Sequence, residues 1–353
     1  MATASLVKVD SCPCVNVSLC RPLTTPKPEK ELFVYTPNEE MYATSYNWSK
    51  ITTVVTYSLP DPQFVCFAHE RHVRVVLAVG TDWSVANWPE ARASFAQSVA
   101  QTIAANGLDG VNLDFEEGYS NPMNTSEVTS LFYLVVQAVR AYNPGAQASV
   151  CIANFDWFPP TPLTDLPYDF AALLSVSDFL MAMMYDEMVP FIGANSLITA
   201  INYTFQGLYQ VASMAPSRLV MGFPWYGYEY ACRNRTVIKD VCWGTTAVQL
   251  NYDGIIQIVQ NQSACHVNRT RVEYDMSNAT GTYAWFRVTN VCDRQTPEHI
   301  VIFDDVRTLL PKYALAMATG AKGLSMWDAS ALGNSTALLQ LRQEMWGAIN
   351  SFF

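Results

Sequence analysis

Between Glu31 and Asp328 the chain alternates short, apolar, often β-branched runs with longer helical spans, and this rhythm limits the folds open to it. Strands separated by helices pair in parallel, because each helix carries the chain back over the sheet before the next strand begins. The strand candidates are Glu31–Tyr35, 51–57, 73–80, 107–117, Gln147–Ala153, 177–186, 218–227 and 321–328. Helical spans are read at 61–71, 89–106, 126–142 with Ser126 as N-cap, 170–174, 195–212, 305–319 and 337–349. Eight such strands predict an α/β fold of the (β/α)8 TIM-barrel type. An open doubly wound sheet is the competing architecture, but no Gly-rich phosphate fingerprint opens any helix. The rhythm breaks at about 228–300, a polar stretch with four cysteines and four N-glycosylation sequons. It reads as a small, β-rich subdomain inserted after strand 7, on the face where a barrel's active-site loops lie. Residues 1–30 form a Cys/Pro-rich segment ahead of a barrel spanning 31–353.

The fourth strand carries the chemistry. In Gly107-Leu108-Asp109-Gly110-Val111-Asn112-Leu113-Asp114-Phe115-Glu116-Glu117, the apolar Val111, Leu113 and Phe115 alternate with Asn112, Asp114 and Glu116. A period of two sends the two sets to opposite faces. A strand buried in a parallel sheet is normally apolar on both faces, so three polar residues on one of them need a reason. A half-exposed strand with solvated charges is the bland alternative. Asp114 and Glu116 lie about 6.5 Å apart along one edge, side chains pointing the same way.

The octet from Asp109 to Glu116 resembles the D-G-x-[DN]-x-D-x-E signature of glycoside hydrolase family 18, the family of chitinases and chitobiases, and the likeness extends from about Cys12 to the C-terminal helix. An ordinary retaining glycosidase sets two carboxyls on opposite sides of the scissile bond, a geometry two neighbours on one strand do not easily meet. The resemblance implies substrate assistance instead. Glu116 protonates the glycosidic oxygen, the substrate's own 2-acetamido oxygen attacks the anomeric carbon, and Asp114 accepts the acetamide N–H. The adjacent negative charge also favours a protonated Glu116, as a general acid requires.

Three further strand ends carry the resemblance. Met183-Met184-Tyr185-Asp186 is similar to the family's M-x-Y-D, which makes Tyr185 the hydroxyl that aims the acetamide and Asp186 a substrate-binding or supporting carboxylate. Trp327 matches the tryptophan beneath the cleaved sugar, and Trp225 and Tyr226 fall in a stretch that implies sugar contact. Each of these aromatics has a packing role as its alternative. Asn112 stands where most chitinases have Asp, which points to the chitobiase branch, and it is read with the substrate-binding set. The stretch 78–82 departs from the usual S-x-G-G. Asp109 and Glu117 are read as structural or solvated.

A formal net charge of −10 and the lack of a basic patch argue against nucleic acid, and no run of apolar residues is long enough to span a membrane. The nine cysteines, Cys12, Cys14, Cys20, Cys66, Cys151, Cys232, Cys242, Cys265 and Cys292, cluster as disulfide frameworks do, with Cys151 as the free, buried, inert one. Without a C-x-x-C, and with four histidines, zinc is not expected; neither is any other metal or cofactor. Sequons begin at Asn16, Asn47, Asn124, Asn202, Asn234, Asn261, Asn268, Asn278 and Asn334, which points to the secretory pathway. The first nine residues are too short and too weakly apolar for a signal peptide, so a native leader is expected to be missing from this sequence.

The resemblance then implies a retaining, monomeric, lysosomal or secreted glycosidase. Its substrate would be β-1,4-linked N-acetylglucosamine at the reducing end of chitobiose cores from N-glycan-derived oligosaccharides. An endo-acting chitinase is the second reading, favoured by an open cleft lined with aromatics. A non-catalytic oligosaccharide-binding member is the third, and it would normally lack Glu116. A metal-using D-x-D glycosyltransferase is a fourth, on a different fold.

Overall fold

The computed structural model describes residues 12–37, 45–80, 84–115, 125–153, 169–189, 191–232, 247–277 and 281–353. Eight parallel strands close into a barrel: β1 (Glu31–Tyr35), β2 (Thr53–Thr56), β3 (Arg74–Val79), β4 (Gly110–Leu113), β5 (Gln147–Ala153), β6 (Phe179–Met183), β7 (Leu219–Pro224) and β14 (Gly323–Trp327). β1 pairs with both β2 and β14, which leaves no edge. This is the (β/α)8 architecture that the sequence rhythm predicts.

Strand ends are shorter than expected, because pairing stops where strands splay at the barrel rim. The β4 ladder ends at Leu113, so Asp114 sits just beyond it, its N–H still bonded to the Val79 carbonyl at 3.0 Å. The helix expected to be capped by Ser126 starts at Thr125, so Ser126 lies inside its first turn.

The alternation along β4 sorts its side chains as anticipated. Val111, Leu113 and Phe115 join the large apolar core under the helices, and the Phe115 ring meets Phe132 at 4.8 Å and Phe95 at 6.5 Å between centroids. Helix Thr125–Tyr142 presents Val128, Leu131, Phe132, Val135, Val136 and Val139 to that core, a spacing of three and four that makes one apolar stripe. The opposite strand faces pack inward. Phe33, Tyr35, Val55, Ala78, Cys151, Phe179, Met181 and Val220 form a second cluster, so the barrel centre is filled rather than hollow.

The insert begins at Tyr226, directly after Trp225, and leads straight out of β7. Its strands are β8 (Tyr226–Ala231), β9 (Ala247–Asn251), β10 (His266–Val267), β11 (Glu273–Ser277), β12 (Gly281–Asn290) and β13 (Glu298–Phe303), paired antiparallel. Helix Tyr252–Val259, which the polar composition did not suggest, buries Ile255, Ile256 and Ile258. A Cys265–Cys292 disulfide staples the insert, Cys232 is also disulfide-bonded, and Cys151 is free and buried. Of the sequon asparagines, Asn16, Asn202, Asn261, Asn268 and Asn334 are exposed and Asn47 is half-buried. Asn124, Asn234 and Asn278 lie outside the described residues, as does Cys242. Among the described residues no helix is long and apolar enough to cross a membrane.

The N-terminal segment is fastened beneath the barrel by Cys12–Cys20 and Cys14–Cys66. It passes so close to Gly107, at φ +64°, that a Cβ there would lie 2.2 Å from the Cys20 carbonyl oxygen, so only glycine fits. Asp109, buried and structural, accepts from the Leu23 N–H, the Val75 N–H and His69 Nε2. His69 Nδ1 donates to the Leu19 carbonyl at 2.7 Å, so both ring nitrogens face acceptors and the imidazolium suits the site. Burial pulls His69 down, but the Asp109 hydrogen bond and charge with the Leu19 carbonyl outweigh it and raise its pKa. A histidine whose folded pKa is raised adds stability that is complete below its unfolded value and is lost as pH rises through the folded one. His69→Ala should therefore cost about 3–5 kcal/mol at acid pH by stranding Asp109. The difference from wild type, read as chemical-denaturation free energy against pH, should shrink above neutrality. A pH-independent difference would contradict the imidazolium assignment.

Candidate active site

Inward positions at the C-terminal rim of the barrel gather one polar, aromatic site. Asp114 ends the inner face of β4 and is buried, at 8% exposure. The Tyr57 hydroxyl, one residue beyond β2, donates to Asp114 Oδ2 at 2.8 Å. Gly80 follows β3, and a Cβ on it would come within 2.8 Å of the Asp114 carbonyl oxygen. Glycine lets these two strand ends lie side by side.

Below Asp114, Asn112 is fully buried and spoken for on both ends of its amide. Its Nδ2 donates to Ser149 Oγ at 2.9 Å, while its Oδ1 accepts from Tyr35 at 3.1 Å and from the Cys151 thiol at 3.2 Å. Asn112 is thus no substrate contact. It is part of the floor. Burial pushes the Tyr35 and Tyr57 phenols well above the usual tyrosine range, with Cys151, Asp114 and Tyr185 adding to the effect on each. Asp114 and Tyr185 thus both act on these two phenols.

Trp327 stands half-buried at the end of β14, edge-on to Tyr35 at 5.2 Å and to Tyr57 at 5.4 Å. It touches both the barrel-centre cluster and a tyrosine cluster from the insert. Tyr185, also half-buried, meets the Tyr226 ring edge-on at 6.1 Å. Asp186 is exposed, in the left-handed region at φ +62°, with its N–H bonded to Asn195 Oδ1 at 2.8 Å. Its Oδ1 accepts from Tyr226 at 2.6 Å and from Tyr228 at 2.7 Å. Burial first, and then the Asp186 charge, raise both phenols, so each remains a donor.

Two other aromatic assignments change. Tyr226 is 1% exposed and meets the cleft through Asp186 and the edge of Tyr185. Trp225 has no exposed area; its indole N–H points to Tyr313 and its ring meets Trp346 edge-on at 4.8 Å. A side chain sealed on the helix side has no face to offer a sugar, so Trp225 is a packing residue. Glu116 and Glu117 lie outside the described residues, as do Thr81 and Asp82 of the third-strand loop.

The family model for glycosyl hydrolases family 18 matches residues 37–331. The chain belongs to that family. It is a glycoside hydrolase, and several of its relatives run nearly end to end with it. Mouse di-N-acetylchitobiase is 29% identical over 96% of this chain and 92% of its own length, and human di-N-acetylchitobiase is 27% identical over 95% and 87%. Among solved structures, a chitinase from Chromobacterium violaceum superposes with TM-score 0.67 over 92% of this chain and 98% of its own, at 18% identity. The spore cortex-lytic enzyme SleL of Bacillus megaterium gives 0.68 over 94% and 76%, at 17% identity.

Against the family-18 motifs, the sequence reading missed Tyr57, Tyr35 and Tyr228. The signal was available in part, since Thr53, Val55 and Tyr57 share one strand face that ends at the rim. Tyr228 continues the Tyr226 face in the same way. Because Tyr226 and Tyr228 donate to one oxygen, each should cover for the other. Tyr226→Phe or Tyr228→Phe alone should cost about 1 kcal/mol of stability, and the double variant more than the sum. Denaturation of the four-protein cycle measures it; strict additivity would mean the two bonds are independent.

Proposed function

We propose that this family-18 hydrolase is a retaining, substrate-assisted glycosidase that releases β-1,4-linked N-acetylglucosamine from the reducing end of chitobiose cores. The observation that carries the reading is Asp114, a buried carboxylate at the rim of β4 that accepts from the Tyr57 hydroxyl, with Asp114 and Tyr185 both acting on the Tyr57 phenol. A carboxylate so placed can accept the N–H of a 2-acetamido group, while Tyr185 donates to the acetamide oxygen and keeps it aimed at the anomeric carbon. Trp327 supplies an apolar face beside them for the sugar ring.

In the first step the acetamide oxygen bonds to the anomeric carbon as the glycosidic bond breaks, and the leaving oxygen takes the proton of Glu116. Asp114 faces the positive charge that develops on the oxazolinium nitrogen. In the second step water adds to the anomeric carbon from the side the aglycone left, giving its proton to Glu116, and the ring reopens to the acetamide. Two inversions retain the configuration.

The full-length similarity to di-N-acetylchitobiases supports chitobiose-core oligosaccharides as substrate. Exposed sequons and disulfides fit a secreted or lysosomal setting. Endo-cleavage of polymeric chitin is the second reading, motivated by the shared fold with chitinases.

Product analysis on chitobiose-type oligosaccharides with a free reducing end tests the reading. Wild type should release a single reducing-end N-acetylglucosamine, and Glu116→Gln should lower the rate by about 10²–10⁴-fold. Substrate with the 2-acetamido group replaced by hydroxyl should not turn over. Internal cleavage would favour the endo reading, and an undiminished variant would refute the role of Glu116.

A further inference from the structure

We infer that Asn195 is a positioning residue, whose buried side-chain amide, together with Tyr226, holds the backbone and the carboxylate of Asp186 as one unit at the root of the loop that follows β6. The inference rests on the reading of Tyr185 and Asp186 as groups that meet the substrate. It goes beyond it by adding a residue outside the M-x-Y-D run, one that at 2% exposure acts on a sugar only through its neighbours.

The backbone itself calls for such a residue. Asp186 holds φ at +62°, a left-handed conformation that an L side chain keeps only where its surroundings enforce it. Asn195 supplies enforcing contacts from both its side chain and its main chain. Its Oδ1 accepts the Asp186 N–H at 2.8 Å, and its carbonyl accepts the next N–H, that of Glu187, at 3.2 Å. Its Nδ2 faces the Tyr226 carbonyl at 3.4 Å, and the Tyr226 hydroxyl returns to Asp186 Oδ1 at 2.6 Å. Asp186, Asn195 and Tyr226 thus form a closed ring of hydrogen bonds, with the 3.4 Å contact as its weakest member.

The ring also fixes which way round the amide lies. The Asp186 N–H is a donor and must meet the oxygen, which leaves the nitrogen for the Tyr226 carbonyl. Reversed, the amide would set donor against donor and acceptor against acceptor. Asn195 is itself held firmly. Ala194, Leu197 and Ala200, around the start of helix Ile198–Ala212, pack with Met188 and with Tyr283 of β12. Gly193 passes so close to Met188 that a Cβ on it would lie 2.6 Å from the Met188 Cγ. The clip therefore rests on the helix and the insert. Asp186 cannot shift along the rim without breaking its backbone bond and its phenol bonds together. Tyr185 precedes it by one peptide, so a turn that relaxed to right-handed or extended backbone would re-aim both side chains.

A merely structural amide and a positioning amide predict different things. Asn195→Leu keeps the bulk and removes both polar ends. Positioning predicts that its kcat on chitobiose-type oligosaccharide falls by about ten- to a hundredfold, as displacing a rim group by about 1 Å would cause, with KM nearly unchanged. Asp186→Gly removes the carboxylate and takes the left-handed backbone at no steric cost, so in that background Asn195→Leu should have little further effect. The Asp186 amide should also exchange with deuterium faster in Asn195→Leu than in wild type. Should Asn195→Leu not fold, Asn195→Ser, too short to reach the Asp186 N–H, takes its place in the cycle. The inference is overturned if the Asn195 variant matches wild type in rate or in exchange at Asp186, or if it slows Asp186→Gly by the same factor as wild type. An undiminished Asp186→Gly also overturns it, since there would be nothing to position.

Affinity for a thiazoline analogue of the oxazolinium ion, measured by calorimetry, reads the same placement without turnover and should weaken in Asn195→Leu by a similar factor. Wild type that binds the analogue but releases no N-acetylglucosamine would refute the proposed substrate and leave the affinity ratio to decide Asn195. Wild type that neither binds nor turns over would overturn both.

Discussion

A polar side chain on the inner face of a closed barrel has no water to fall back on, and most of this site follows from that constraint. An unpaired amide or carboxylate there would cost several kilocalories per mole, so each must be met by neighbouring strands. Asn112 is the deepest case. Its amide is shared out among β1 and β5 through Tyr35, Ser149 and Cys151, three residues whose own alternation brings them to the same layer. That layer in turn supports the next, because the Tyr35 ring carries Tyr57 and Trp327. Asp114 meets its donor at the rim, where the barrel opens. Thus a sealed network at one level sets the geometry of the carboxylate at the rim above it, and the candidate site takes its precision from the floor.

The insert contributes a second, separate support. β8 continues almost directly from β7, and its alternation puts Tyr226, Tyr228 and Tyr230 on one face with Glu229 on the other. The tyrosine face closes on Asp186. On the reverse face, Glu229 Oε1 gathers Asn290, His266 and His299 from β12, β10 and β13 within 2.6–3.0 Å, which ties the strands of the insert to one carboxylate. Where β13 returns to the barrel, Asp304 pairs with Lys312 at 2.5 Å, both without exposed surface. Burial lowers the lysine and raises the aspartate, and removing either partner would leave the other charge stranded. The position of Asp186 therefore depends on how firmly the whole insert is seated.

The barrel was legible because periodicity survives in sequence. Strands with one helix-facing and one inward-facing set, separated by helical stripes, leave little choice of architecture. The octet around Asp114 and the M-x-Y-D run were legible because their residue types make sense only at a site. Depth was not. Asn112 and Asp114 occupy the same strand face, yet one is sealed and the other reaches the rim, and nothing in a linear pattern distinguishes two levels of one face. Trp225 failed for a related reason: it sits at the junction of β7 and β8, where the barrel's alternation gives way to that of another sheet and the side chain turns outward. Tyr57 was passed over because a tyrosine closing a β-branched strand is ordinary. Its bond to Asp114 appears only once β2 and β4 are known to be two strands apart around a closed ring, with Gly80 letting the strand between them slip past Asp114.

Acid response and chemistry are kept apart in this fold. The tyrosines that shape the site, Tyr35, Tyr57, Tyr226 and Tyr228, are all pushed upward by burial, so their hydroxyls donate at any working pH and the cleft keeps its form. The histidine that a carboxylate favours in its protonated form lies elsewhere: His69, set against Asp109 beneath the barrel. For His69 the direction is settled, since its raised pKa makes acid conditions strengthen the clamp on the N-terminal segment. In the proposed mechanism Glu116 also has to begin the reaction protonated. Moderate acidity thus favours the clamp and the catalytic proton together while leaving the tyrosine scaffold unchanged. A fold that used titrating side chains to hold Asp114 in place would have had to trade one against the other.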